Sequence, residues 1–67
     1  MEYRGYKVFV GIFPDMSSVV ASYMGKYIIR RGLKEVFAGS TTDGLTSVGD
    51  AEHESYRAAR EWIDQQP

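Results

Sequence analysis

His53 is the chain's single histidine and stands among Asp50, Glu52, Glu54 and Arg57, a set of residue types that could hold a metal ion or supply a general base. One imidazole with carboxylates on a polar stretch provides neither a closed tetrahedral ligand set nor a buried base of shifted pKa, so a solvated helix face is expected. Gly39-Ser40-Thr41-Thr42-Asp43-Gly44-Leu45-Thr46 comes close to a glycine loop that cradles phosphate, and it lies between a predicted strand and a predicted helix as such loops do. Leu45 stands where that chemistry needs lysine, and Asp43 and Asp50 place negative charge where phosphate would bind. Lys26, Arg30, Arg31 and Lys34 gather around an expected hairpin turn, where they could form a basic patch for nucleic-acid phosphates. No nucleophile, base and orienting group can be assembled from these residues. The chain is therefore expected to be no enzyme and to need no metal or cofactor.

The elements that must position these groups can be read from spacing. Ser47 to Gln66 carries the clearest pattern: Val48, Ala51, Ser55, Ala58, Ala59 and Trp62 share one face of a helical wheel, with His53, Arg57, Arg60, Glu61 and Asp64 opposite. Ser47 is suited to the N-cap and Asp50 to the third helical position, close to a capping box. Small residues allow close approach, and Trp62 is the expected anchor, its truncation to alanine costing about 3–5 kcal/mol. Tyr6 to Phe13 alternates as a strand, with Tyr6, Val8, Val10 and Ile12 on one face and Lys7, Phe9, Gly11 and Phe13 on the other, and Pro14-Asp15 supplies a turn. A short strand is expected around Glu35 to Ala38, followed by the polar loop from Gly39 to Gly44.

Ser17 to Arg31 supports two readings. As a helix, Val20, Tyr23, Met24, Tyr27 and Ile28 have helical spacing, with Gly32 as the C-terminal glycine. As a strand, Val19, Ala21, Tyr23, Tyr27 and Ile29 share one face, punctuated opposite by Ser22, Lys26 and Arg30. The β-branched and tyrosine content favours the strand, and Gly25 would cost a helix interior about 1 kcal/mol, so a strand bulged near Gly25 is expected.

Composition sets limits. The 67 residues suffice for one small domain, 43% apolar and 25% charged, too apolar for disorder and marginal for a self-sufficient core. There is no cysteine to supply a disulfide, so association is the remaining support for so small a domain. A net charge of −1 creates no global attraction to nucleic acid or anionic lipid. The N-terminus lacks the apolar core of a signal peptide, and no apolar run approaches a membrane span, so a cytoplasmic location is expected.

Met1-Glu2-Tyr3-Arg4-Gly5-Tyr6, Val20-Ala21-Ser22-Tyr23, Ala38-Gly39-Ser40-Thr41-Thr42-Asp43-Gly44 and Ala58-Ala59-Arg60-Glu61-Trp62-Ile63-Asp64 together resemble small uncharacterised bacterial proteins of βββα form. That resemblance implies three antiparallel strands and one C-terminal helix, and carries no activity across. Arg31-Gly32-Leu33, Ala38-Gly39-Ser40 and Val48-Gly49-Asp50 are similar to phrases in the N-terminal half of low-molecular-weight protein tyrosine phosphatases, which would imply a βαβα order with parallel strands. Gly11 stands where that family's nucleophilic cysteine belongs and Ser17 where its phosphate-binding arginine belongs, so this alternative implies an inert relic. Val8-Phe9-Val10-Gly11 and Arg4-Gly5-Tyr6 are similar to the two sheet motifs of RNA-recognition domains, but here both fall in one strand.

The α+β reading has a functional consequence. One helix covers one face of a three-stranded sheet, leaving the other face bare, and Phe9 and Phe13 point away from Val8, Val10 and Ile12. With Tyr27 they form the expected interaction surface, for a second copy or for a protein partner through the bare face or an unpaired edge. A nucleic-acid reader using Lys26, Arg30, Arg31 and Lys34 is the alternative, disfavoured by net charge. No membrane partner is expected.

Overall fold

The computed structural model describes residues 1–14, 22–41 and 45–67. Four antiparallel strands, β1 (Glu2–Tyr3), β2 (Tyr6–Pro14), β3 (Tyr23–Arg31) and β4 (Lys34–Ser40), form one sheet in sequence order, and one helix, α1 (Val48–Asp64), follows them. The α+β architecture with a C-terminal helix is as expected. The strand number differs from three because a hairpin precedes the first predicted strand. Tyr3 pairs with Tyr6 across Arg4 (φ +51°) and Gly5 (φ +83°), two successive left-handed residues as a type I′ turn requires. Arg4 is an unusual occupant of that position, and a two-residue strand has no periodicity to read. Met1 extends the pairing, its carbonyl accepting from the Val8 amide at 2.8 Å.

Residues 23–31 are a strand, and the pairing of β3 is antiparallel on both sides. The helical reading and the parallel βαβα order are thereby overturned for this stretch; Ser17 to Ala21 and the Asp15 turn position lie outside the described residues. The expected bulge near Gly25 is also corrected. The β2–β3 ladder runs unbroken through Ile12 and Gly25, and the register shifts at Ile29/Arg30 instead, where Ile29 pairs with Phe37 and Arg30 with Glu35, leaving Val36 as the extra residue. Gly25 has a different purpose. A Cβ there would fall on the Ser55 hydroxyl and 2.9 Å from the Ala51 carbonyl oxygen, so glycine is what lets the helix start close against the sheet.

Helix α1 packs on β2 and β3 along a single ridge, Ala51, Ser55, Ala59 and Ile63, spaced four apart and all buried. Ser55 is satisfied by donating to the Ala51 carbonyl at 2.7 Å. The small end of the ridge sits by Gly25; the large end, Ile63, meets Val8 and Ile29, which with Tyr27 and Ala59 make the core. Ser47 is the N-cap as expected, its hydroxyl accepting from the Asp50 amide at 3.0 Å. Two expectations about the helix face change. Val48 is exposed, and the fully buried anchor is Ile63 rather than Trp62. Trp62 lies at the flank, half-buried, stacked on Phe37 (4.9 Å between centroids) and edge-on to Tyr6 (6.2 Å).

Candidate functional site

The β2–β3–β4 register sorts the side chains into two faces. Tyr6, Val8, Val10 and Ile12 face the helix together with their β3 partners Gly25, Tyr27 and Ile29. The other face carries four rows across the sheet: Glu2, Lys7, Arg30 and Glu35; then Phe9, Ile28 and Ala38; then Gly11, Lys26 and Ser40; then Phe13 and Met24. No helix of the described residues covers these rows. Phe9 is 51% exposed and Phe13 48%, values far above those of the core aromatics.

Between the two phenylalanines the missing side chain of Gly11 leaves a groove of about 450 Å³, bounded by Phe9, Phe13, Lys26, Ile28 and Ala38. The Phe13 ring leans into it, reaching to within 3.2 Å of where a Cβ on Gly11 would sit. Each exposed ring has a cation nearby: the Arg30 guanidinium lies 5.3 Å from the Phe9 centroid and the Lys26 ammonium 5.4 Å from that of Phe13. Long side chains of this kind cover part of an apolar surface with their methylene stems while keeping their charge in water.

The structure brings together Phe9, Phe13, Lys26 and Arg30 from the expected residues and adds Gly11, Ile28, Met24 and Lys7 to them. It separates the rest. Tyr27 is 8% exposed and belongs to the helix-side core, lying across Gly39 so that a Cβ there would meet its hydroxyl at 2.5 Å. Tyr27 therefore does not belong to the interaction surface expected of it, because α1 covers the face it shares with Ile29. The basic group also divides between faces. Lys26 and Arg30 stand on the open face, whereas Arg31 lies over the Tyr6 ring (5.4 Å) and pairs with Lys34 at the hairpin end on the helix side. Gly32 (φ +65°) opens that two-residue turn, and Leu33 at its tip is fully exposed.

The remaining chemical candidates are distributed without convergence. His53 is exposed on α1, and Arg57 beside it is held by Glu54 (2.9 Å) and Glu61 (3.0 Å). The Arg57 hydrogen bond holds the Glu54 carboxyl below its ordinary pKa. Among the described residues no three metal-ligating side chains gather. Gly39 and Ser40 of the phosphate-loop-like stretch belong to β4, Thr41 donates to the Gly25 carbonyl, and Leu45 bridges to Tyr23; Thr42 to Gly44 lie outside the described residues. Among the described residues no helix is long and apolar enough to cross a membrane. No protein-family model, curated protein or solved structure matches the chain.

Proposed function

We propose that this chain is a non-enzymatic association module whose working surface is the open face of its sheet, occupied by protein, either a second copy or a partner. The observation that carries this reading is the half-exposed pair Phe9 and Phe13 around the Gly11 groove, an apolar surface on the two central strands that water solvates poorly. The β4 edge is less suited to the purpose. Lys34 and Glu35 place charge on the β4 edge, and the Val36 bulge bends it, both of which discourage strand addition. Apolar burial on the open face would also supplement a core built from few large side chains.

Sedimentation of the wild-type chain beside the double variant Phe9→Asp/Phe13→Asp tests the reading. Both sites are exposed, so the variant keeps its fold, checked by far-ultraviolet circular dichroism. Concentration-dependent association, or capture of a partner, that the aspartates abolish is the expected result; association indifferent to them would place the working surface elsewhere. A second reading has one observation in its favour: Lys7, Lys26 and Arg30 are the only charges on the open face of β2 and β3, and none has a carboxylate within 4.0 Å among the described residues. A single-stranded nucleic acid could use such cations with stacked rings. Fluorescence anisotropy with labelled oligo-dT separates the two, since binding that weakens with salt and with Lys26→Ala/Arg30→Ala would favour the nucleic acid.

A further inference from the structure

Resting on the open-face reading, we infer that the occupant is a second copy of this chain, packed face to face about a dyad that runs across the strands, so that Phe9 of each copy enters the Gly11 groove of the other. Two dyads could lay this face on itself. One parallel to the strands and passing between β2 and β3 would set each row against itself in reverse order. The outermost row, Glu2, Lys7, Arg30 and Glu35, would then place Glu2 on Glu35 and Lys7 on Arg30, two like-charge contacts on each side of the axis.

A dyad perpendicular to the strands at the level of Val10 separates these pairs and leaves one like-charge approach on each side, Lys7 toward the Lys26 that lies by the facing Phe13. It brings the outermost row onto the Phe13–Met24 row of the second copy, and the Phe9–Ile28 row onto the Gly11–Lys26 row. Lys7 then shares the Phe13 ring with the Lys26 of that copy, the two ammonium groups able to swing out to solvent on their stems, and Arg30 meets Met24. Phe9 meets Gly11, the one position of β2 with no side chain to resist it, and packs against the Phe13 ring that leans over the groove. The contact is self-complementary: each copy offers one projecting ring and one groove, one row to either side of the axis.

Four rows about 6.8 Å apart on three strands about 4.8 Å apart give a footprint near half the roughly 800 Å² per partner of a stable interface, so the dimer belongs to the weak, reversible class. Sedimentation should therefore span about 10 µM to about 1 mM. Phe9→Ala leaves two grooves and no projecting ring; Gly11→Phe leaves two rings and no groove. Each variant alone is expected to weaken self-association at least about thirtyfold, the loss of an interface anchor. An equimolar mixture recovers it, because every ring again finds a groove. On the wild-type chain, where no substitution can disturb folding, isotope-filtered spectra of a mixed labelled sample should show a contact between the Phe9 ring of one copy and Gly11 of the other. A wild-type monomer across the whole range overturns the second copy. Association without pairing of the variants and without the Phe9–Gly11 contact, yet abolished by Phe9→Asp/Phe13→Asp, overturns this geometry and leaves the open-face reading standing; association that survives the aspartates overturns both.

Discussion

A methyl group on Gly25 would collide with Ser55 and the Ala51 carbonyl, the first turns of a helix some thirty residues later in the chain. Gly25→Ala must push α1 off the sheet or distort β3, and is expected to cost about 1–3 kcal/mol in urea unfolding, as overpacking does. From sequence alone Gly25 speaks against a helix, but its reason for being there depends on which element crosses it, and no local pattern contains that. Tyr3 offers a second residue-scale test. Its hydroxyl donates to the Asp64 carboxylate at 2.9 Å, and that bond, followed by partial burial and the negative charge of Asp64, raises its pKa above the ordinary value of 10.0. A raised folded-state pKa means the contribution is complete below the unfolded value near 10 and is lost as pH rises through the folded one. Melting temperature should therefore fall on the alkaline side more steeply for the wild type than for Tyr3→Phe; parallel pH profiles would deny the Tyr3–Asp64 tie a role.

At the scale of elements, the helix is held by its buried ridge, and the ridge ranks its residues. Ile63→Ala removes a side chain 2% exposed against Val8 and Ile29 and should cost about 2–5 kcal/mol. Trp62→Ala, at the half-buried flank, should fall at or below the low end of the about 3–5 kcal/mol of a buried aromatic. Equal or reversed costs in denaturant melts would return the anchor to Trp62. The helix start was legible because Ser47 and Asp50 make a local capping pattern, and β2 was legible from strict alternation. The anchor was not, since a helical wheel gives a broad apolar stripe and only the packed sheet decides its centre. β1 was hidden for a different reason: its turn places Arg4, rather than the Asn or Gly such turns favour, at φ +51°. Relieving that cost, Arg4→Asn is expected to raise stability by up to about 1 kcal/mol, measured by urea unfolding, and a loss would show that the 3.5 Å Arg4–Asp64 contact outweighs the backbone term.

For the whole molecule, alternation in β2 and β3 divides residues between two faces without saying which face the helix takes. Phe9 and Phe13 were legible as one set, but Tyr27 could be placed only once α1 was seen to lie on the side of Val8 and Ile29. Likewise the basic residues adjacent in sequence, Arg30 and Arg31, stand on opposite faces, so a patch read from sequence clustering dissolves while Lys7, distant in sequence, joins Arg30 across the ladder. The resulting surface is basic along β2 and β3 and holds Phe9 and Phe13 around one groove, which none of the other exposed large apolar side chains among the described residues, Met1, Leu33, Phe37 and Val48, lines. The side-chain carbon resonances of the wild-type chain, followed on dilution, test this most directly. Shifts that move with concentration at Phe9, Phe13, Met24 and Ile28, and stay fixed at Ala51, Ala59 and Ile63, are predicted; spectra unchanged by concentration, or changes centred on the helix, would contradict self-association through the open face.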